Sequence, residues 1–391
     1  MQNLIISKPW IEDCDNTCKL RADFIQNNDK YEFYYEYDAR MKPYITTEVV
    51  DGLVVTLLPY CLRKGLNIQS DTPISKRLLY QLNNFLLPAL TKNVDIYHSI
   101  EIQCSPFDGE LPRGEHIGLG FSGGVDSFYS LEKNGEDSLY PVTDLAYYNV
   151  GACGDAGDER AHEVFRERAA WVEGITESMH MPLIKVDSNI SEFLQIPHEE
   201  SITFRTLGVP LTLQKYFKTY YASSTYEFTQ FHYCQYPEYS DLLNIQCLST
   251  DNLKFYSVGG EVDRVQKVKA IAHNKYAQKH LNVCVNDATN CSRCWKCKST
   301  MLELYVEDAL DEFQDVFDVE YFHKNKHDFF ADAIAFRHSW NAIFWNELYK
   351  ELRTRNELSF VDYWIAMGRW ISYAIKMNKF VRKIYFGIKG K

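Results

Sequence analysis

The spacing of apolar residues in the first part of the chain, residues 1–110, changes from strand-like to helical. Two runs, Tyr31–Tyr37 and Val49–Leu58, are typical of strands, whereas Ile74–Leu90 places its leucines and phenylalanine at helical intervals. This pattern predicts a small N-terminal α+β module. No residue cluster in it indicates chemistry, so its role stays open.

Strand and helix signals alternate over residues 111–300. The predicted strands are Ile117–Phe121, Leu145–Val150 and Pro182–Val186, and the predicted helices are Asp158–Met179 and Leu211–Tyr221. Such alternation predicts an α/β fold with a doubly wound parallel sheet. Sheets of this kind bind their ligands at the carboxyl ends of the strands.

Residues 301–391 have a helical pattern that is rich in aromatic side chains, which predicts a helical C-terminal extension. The rings are those of Phe329, Phe330, Phe336, Trp340, Phe344 and Trp345. The last segment, Lys376–Lys391, contains six basic residues and no acidic one. A basic run of this kind is most often the solvated end of a helix, and otherwise contacts an acidic partner or a membrane surface.

Composition narrows the class of protein. Of 391 residues, 46% are hydrophobic and 24% are charged, which is typical of a soluble globular protein. The formal charge of −11 disfavours nucleic acid as a partner. The N-terminus lacks the pattern of a signal peptide, and the apolar run Gly52–Leu62 is too short to cross a bilayer. We therefore expect a cytoplasmic protein without a membrane span.

A phosphate-binding loop is predicted directly after the first strand of the α/β region. Two glycines allow consecutive N–H groups to point into one concavity, and a helix start adds partial positive charge. The serines offer hydroxyl donors, and the aspartate suits Mg²⁺ binding or capping of the loop. The alternative, a capped Gly-Gly turn without a ligand, is disfavoured by the strand-to-helix context. The six residues are Ser122, Gly123, Gly124, Val125, Asp126 and Ser127.

Four of the eleven cysteines fall within one short stretch: Cys284, Cys291, Cys294 and Cys297. In the absence of an export signal, reduced thiols are expected. Four clustered thiolates suit a tetrahedral Zn²⁺ ion. An iron–sulfur cluster is the alternative, but the ferredoxin-type run would place another cysteine and a proline after Cys297, and the chain has neither there.

The loop Ser122–Ser127 resembles the SGGxDS signature of the PP-loop ATP pyrophosphatases. The resemblance implies an adenine nucleotide alpha hydrolase-like fold that binds MgATP. It also implies adenylation of a carbonyl or carboxylate with release of pyrophosphate, followed by displacement of AMP by a nitrogen or sulfur nucleophile.

Loop and cysteines together resemble the 7-cyano-7-deazaguanine synthases, the nitrile-forming family of the queuosine pathway, over roughly residues 115–300. Leu145–Gly151 stands where that family has a strand ending in Tyr-Gly, and Asp263–Lys267 where it has a lysine-containing helix start. The chain departs from the family at Asn149–Cys153 and at Pro237–Asp241. The resemblance therefore implies ATP chemistry and zinc for this chain, and it supports the deazaguanine substrate less strongly.

These patterns predict an ATP-dependent C–N ligase that adenylates a small carboxylate or an amide carbonyl. The expected catalytic residues are Asp126, Arg264 and Lys267. Asp126 is expected beside Mg²⁺. Arg264 and Lys267 lie one helical turn apart, so they can face the leaving pyrophosphate from the same side of the helix. An ordinary exposed basic pair is the alternative for Arg264 and Lys267. The resemblance implies a deazapurine as substrate.

Two other functions stay open. One is an adenylating enzyme that joins a deazapurine to a protein or thiolates RNA, for which the terminal regions leave room for a protein partner. The other is a non-enzymatic nucleotide-sensing module. Glu238 and Asp241 are candidates for substrate contact, although such acids are more often solvated. His116 and Cys153 are expected to be structural.

Overall fold

A computed structural model describes residues 2–155, 158–339 and 342–377. Trp340 and most of the basic segment Lys376–Lys391 lie outside the described residues. The chain forms two compact units. The first contains the residues up to Ser122 together with Ser130–Glu261, and the second contains Gly123–Tyr129 together with the described residues from Val262 onward.

All thirteen described strands belong to the first unit. They are β1 Asn3–Ile6, β2 Trp10–Asp13, β3 Thr17–Gln26, β4 Asp29–Asp38, β5 Asn67–Gln69, β6 Ile74–Ser75, β7 Ile102–Gln103, β8 Pro106–Phe107, β9 His116–Gly120, β10 Asp144–Tyr148, β11 Leu183–Ser188, β12 Phe217–Ser223 and β13 Lys254–Val258.

Fifteen α-helices occur in the described residues, and a π-helical turn at Leu82–Leu86 joins α2 to α3. The helices are α1 Asp51–Lys64, α2 Lys76–Gln81, α3 Leu87–Asn93, α4 Val125–Lys133, α5 Ala161–Ser178, α6 Ile190–Leu194, α7 Ile202–Leu211, α8 Asp241–Cys247, α9 Arg264–Ile271, α10 Lys275–His280, α11 Trp295–Val306, α12 Val319–Lys324, α13 Lys326–Phe336, α14 Asn346–Thr354 and α15 Phe360–Met377.

Eleven strands form one sheet. Ten of them follow the order β13-β12-β9-β10-β11-β4-β3-β1-β5-β7, and β2 pairs with β3. The five strands from β13 to β11 are all parallel, whereas β4 joins β11 in antiparallel register. The expected α/β fold with a mostly parallel central sheet is thus confirmed, and the strand order is compatible with a doubly wound topology.

The strand order reverses between β9 and β12. In open α/β sheets such a switch point is where ligands bind, outside the carboxyl ends of the strands. The chain leaves β9 at Gly120 and enters the segment Ser122–Ser127. In the chain, the predicted phosphate loop thus directly follows a strand that borders the switch point.

The prediction of a strand at Val49–Leu58 is wrong, because the chain there forms helix α1. Every residue from Asp51 to Pro59 is buried, so the run has no polar face that would show a helical period. A continuous apolar run fits a buried strand and a buried helix equally well, and here the helix extends for fourteen residues.

The prediction of a helix at Leu211–Tyr221 is also wrong. Helix α7 ends at Leu211, and strand β12 begins at Phe217. Aromatic and β-branched residues dominate this strand, and it pairs in parallel with β9 on one side and β13 on the other. Parallel strands inside a sheet are commonly buried on both faces, which explains why its apolar residues do not alternate strictly with polar ones.

The compact units follow other boundaries than the predicted division into 1–110, 111–300 and 301–391. Strands β1 to β5 and β7 extend the central sheet through the pairing of β4 with β11, whereas β6 and β8 pair with each other. The second unit joins the first turns of α4 to the helices from α9 onward. The roles expected for the three segments stay predictions.

The helical prediction for the C-terminal region is confirmed for the residues described, which form α11 to α15. None of the described helices combines the length and the apolar character that crossing a bilayer requires.

Candidate functional site

The segment after β9 has the backbone that the sequence predicts for a phosphate loop. Gly123 has φ of +73°, a left-handed conformation that favours glycine. Its carbonyl accepts a hydrogen bond of 2.9 Å from the Asn282 N–H, which fixes the turn. Helix α4 begins at Val125, so its first N–H groups have no acceptor one turn earlier in the helix. A helix start of this kind is able to bind an anion.

The two serines of the loop differ in exposure. Ser122 is exposed. Ser127 is buried, and its hydroxyl donates a hydrogen bond of 2.9 Å to the Gly124 carbonyl within the first turn of α4. Ser127 thus stabilises the loop in this structure, whereas both hydroxyls were expected to face a phosphate.

Asp126 meets Arg264 and Lys267, the two cations predicted for this chemistry. Its Oδ2 lies 3.0 Å from Arg264 Nη1, and its Oδ1 lies 2.9 Å from Lys267 Nζ. Both cations come from the first turn of α9. The structure therefore brings all three expected catalytic residues together within the second unit, although the sequence did not predict that they pair with one another.

Arg264 and Lys267 are not an ordinary exposed pair, because only 12% and 2% of their side chains are accessible. Their helix starts with a capping box in which Asp263 accepts from the Gln266 N–H and Gln266 accepts from the Asp263 N–H. This cap fixes where α9 begins. It thereby sets the direction of both side chains.

Opposing effects determine the charge of Asp126. Burial disfavours its ionised form, but the neighbouring charges of Lys267 and Arg264 outweigh burial and lower the pKa of Asp126 below its ordinary value. Asp126 is therefore ionised at neutral pH. An ionised carboxylate at the start of α4 is a competent ligand for a divalent cation.

Glu303 is a functional candidate that the sequence analysis missed. It is fully buried on α11, and its Oε2 lies 3.4 Å from Arg264 Nε. Burial raises the pKa of Glu303 to about 7, even though Arg264 favours the charged form. Its second carboxyl oxygen has no hydrogen-bond partner among the described residues. A buried carboxyl that titrates near neutrality is typical of functional sites.

The four predicted cysteines form one cluster. Their Sγ atoms all lie within 4.8 Å of one another, and Cys284 Sγ is 3.9 Å from Cys294 Sγ. The group can hold a metal ion such as zinc, as the spacing predicted. Three backbone N–H groups point at the sulfur atoms, from Asn286 to Cys284, from Cys294 to Cys291 and from Cys297 to Cys294.

Helix α11 connects the cysteine cluster to Glu303. Cys294 is its N-cap, and Cys297 lies in its first turn. Glu303 follows Cys297 by six residues on the same helix, and both side chains are fully buried. A metal bound by the cysteines would therefore fix the helix that places Glu303 beside Arg264.

The remaining candidates lie in the first unit. His116 is the first residue of β9, and its Nδ1 lies 2.7 Å from Asp144 Oδ2. Cys153 is buried, and burial raises the pKa of its thiol. Both residues fit the structural role expected of them. Glu238 accepts from the Thr225 hydroxyl at 2.7 Å. Asp241 is buried and accepts from the Thr203 hydroxyl at 2.6 Å, so for Asp241 the expectation of a solvated acid is wrong.

Comparison of the chain with protein-family models, with curated proteins and with solved structures finds no match. Functional inference therefore depends on the residues and geometry described above.

Proposed function

We propose that the chain is an ATP-dependent ligase that releases AMP and pyrophosphate, with an adenine nucleotide alpha hydrolase-like fold and a phosphate site at Gly123–Ser127. The observation that carries the proposal is the meeting of Asp126, in the first turn of the helix that follows the two glycines, with Arg264 and Lys267 from the first turn of α9. The resemblance of the loop to PP-loop ATP pyrophosphatases supports the same function.

In this proposal the loop backbone and the helix start hold the β- and γ-phosphates of ATP. Asp126 would hold Mg²⁺, which would neutralise phosphate charge. A carboxylate oxygen of the substrate attacks the α-phosphorus, and the bond to the bridging oxygen of pyrophosphate breaks. Arg264 and Lys267 stabilise the charge that develops on pyrophosphate, because partly buried cations act strongly on such charge.

The second half-reaction is an attack by a nitrogen nucleophile such as ammonia on the acyl-adenylate, with AMP as leaving group. The resemblance implies a deazapurine carboxylate as substrate, and a second cycle on the amide would give a nitrile. Thiolation is less well supported, because burial raises the pKa of Cys153 and disfavours its reactive thiolate.

We propose Zn²⁺ as the metal of the cysteine cluster. Tetrahedral zinc with Zn–S bonds of about 2.3 Å separates its sulfur ligands by about 3.8 Å. The distance of 3.9 Å between Cys284 and Cys294 fits one such ion. The closeness of all four sulfur atoms favours a single ion over an iron–sulfur cluster.

The test is AMP and pyrophosphate formation by the purified chain with MgATP, ammonium and a panel of small carboxylates that includes deazapurines. We expect Lys267→Met to lower the rate by about 10²–10³-fold, which is typical for loss of one group that stabilises transition-state charge. Lys269→Met is the matched control, because Lys269 lies on the same helix with 70% of its side chain exposed.

The outcomes separate the alternatives. Equal rates for Lys267→Met and wild type would remove Lys267 from the mechanism. Tight ATP binding without AMP formation on any substrate would favour a nucleotide-sensing module. A chain that binds neither ATP nor pyrophosphate would overturn the phosphate site itself.

A further inference from the structure

The exposed face of α15 is apolar, which is unusual for a surface helix. More than half of the surface of Phe360, Trp364 and Trp370 is accessible, at 76%, 58% and 57%. Met367 and Ile371 lie on the same exposed face, at 48% and 45%. An exposed apolar patch of this kind marks an interaction surface far more often than isolated exposed residues do.

Two charged residues of α15, Asp362 and Arg369, pair with residues of α13 instead. Asp362 is fully buried, with its Oδ1 at 2.7 Å from His327 Nδ1 on α13. Arg369 pairs with Asp328 at 2.9 Å and also with Asp332, both on α13. These ion pairs fix the rotation of α15 about its own axis. The outward position of its aromatic residues is therefore a consequence of specific contacts.

A groove of about 260 Å³ runs between α13 and α15. Tyr363, Met367 and Trp370 line it from α15, and Arg337, the residue after the end of α13, also lines it. The groove thus combines an apolar wall with a cation. Both an acyl chain and an anionic headgroup would find complementary chemistry there.

The sequence that follows the helix is basic. From Lys376 to Lys391 it has six basic residues and no acidic one, within a chain whose net charge is −11. A helix with exposed Trp, Phe and Ile, continued by a lysine- and arginine-rich segment, has the composition of an interfacial membrane anchor. The rest of the chain would be repelled by an anionic surface, which confines attraction to this end.

We propose that the exposed face of α15 and the basic segment after it bind the surface of an anionic membrane, without spanning it. A second copy of the chain is the other possible occupant, and the excess of basic residues after the helix favours an anionic surface over it. The proposal does not depend on the proposed ligase activity.

The test is co-sedimentation of the full chain with vesicles of phosphatidylcholine alone and of phosphatidylcholine mixed with phosphatidylserine. We expect binding to the mixed vesicles that weakens as salt is added. Replacing basic residues after Met377, for example by Lys379→Gln and Arg382→Gln, should weaken partitioning about fivefold for each residue.

The apolar contribution is tested by the triple variant Trp364→Gln, Met367→Gln and Ile371→Gln, which should weaken partitioning by at least about tenfold. Leu139→Gln is the control, because Leu139 is 94% exposed and lies in the first unit. Circular dichroism confirms that each variant is folded.

Failure of the wild-type chain to bind the mixed vesicles would overturn the proposal, as would equal binding by the triple variant. A dimer in analytical ultracentrifugation that the triple variant abolishes, together with no vesicle binding, would assign the face to a second copy instead.

Discussion

Asp126 illustrates how a single residue can have two roles at one position. In this structure it is the partner of two largely buried cations, Arg264 and Lys267. In the proposed MgATP complex Asp126 would bind the metal, and Arg264 and Lys267 would pair with phosphate oxygens instead. Removing one partner of a buried ion pair typically costs about 3–5 kcal/mol, so Asp126 variants are expected to lose stability as well as activity. Lys267→Met leaves Asp126 paired with Arg264, so with its Lys269→Met control it is the cleaner probe of catalysis.

Glu303 gives a prediction about pH. Its folded-state pKa of about 7 lies above the ordinary 4.5, so between these pH values the folded chain keeps a proton that the unfolded chain has lost. The free energy of unfolding contributed by Glu303 therefore falls as pH rises through this range. Glu303→Gln should remove that fall. Relative to wild type, the variant should gain on the order of 3 kcal/mol between pH 4.5 and pH 8.

Urea unfolding of both proteins at a series of pH values measures this difference. Glu312→Gln is a control for the loss of one carboxyl, because Glu312 is half exposed in the same unit. Parallel stability curves for wild type and Glu303→Gln would contradict the raised pKa.

The loop residues could be predicted from the sequence, because glycine, serine and aspartate between a strand and a helix admit few other uses. Arg264 and Lys267 could be predicted as a pair through their helical spacing. Their pairing with Asp126 could not, because it depends on contacts across more than 130 residues of chain. Glu303 carries no motif at all, so only its burial beside Arg264 identifies it.

At the scale of elements, helices and strands were predicted wrongly where the apolar pattern lacked a polar face. Helix α1 has no polar face, so its sequence pattern resembles that of a buried strand. The sequence of β12, which pairs with a strand on each side, has a pattern that predicts a helix. Elements with one solvated face, such as α5, were predicted to within a few residues. The hydrophobic period reports a boundary between core and water, and a fully buried element has no such boundary.

Close packing of α1 against α7 gives a second prediction. A Cβ on Gly208 would collide with the Thr56 hydroxyl and lie 2.8 Å from the Gly52 carbonyl oxygen. Thr56 in turn bonds the Tyr35 hydroxyl at 2.8 Å, so Gly208→Ala disturbs a buried network. We expect a loss of about 1–3 kcal/mol in the free energy of unfolding. Gly174→Ala on α5, with open space around its Cβ, should instead be neutral or stabilise by up to about 1 kcal/mol.

Thermal unfolding of the two glycine variants decides this prediction. If both change the melting temperature in the same direction, helix propensity rather than the contact between α1 and α7 governs Gly208.

The cysteine cluster gives a third prediction, which concerns α11. Cys297→Ser should reduce the metal content from about one ion per chain and free the start of the helix that carries Glu303. AMP formation should then fall, although Cys297 does not contact Asp126, Arg264 or Lys267 among the described contacts. Cys14→Ser is the matched control, because Cys14 is an exposed cysteine outside the cluster.

Metal analysis by mass spectrometry is the direct readout, and the rate of AMP formation is the second. Iron in place of zinc would overturn the proposed metal. Full activity in a metal-free Cys297→Ser chain would show that the proposed reaction does not need the cluster.

At the scale of the whole molecule, the main finding is that residues 1–110 contribute strands to the sheet that also contains β9 to β13. Strand β4 covers the edge of β11, with Tyr37 opposite Val186. Beyond the sheet, the Tyr37 hydroxyl lies 2.6 Å from the Thr212 hydroxyl. The fully buried carboxylate of Asp51 accepts from Gln214 at 2.8 Å. Each of these contacts joins the N-terminal segment to the α/β region.

A fragment that begins at residue 111 is therefore expected to fold poorly, because it would expose the edge of β11 and leave Gln214 without its buried acceptor. A sharper experiment keeps the whole chain and inserts a protease site after Glu110, which is exposed between β8 and β9. After cleavage the two pieces should elute together in gel filtration until the protein unfolds. Two folded pieces that separate under native conditions would instead show that residues 1–110 are an independent module, as the sequence pattern predicts. Because backbone pairing and buried polar contacts both cross the cut, we expect the pieces to remain one folding unit.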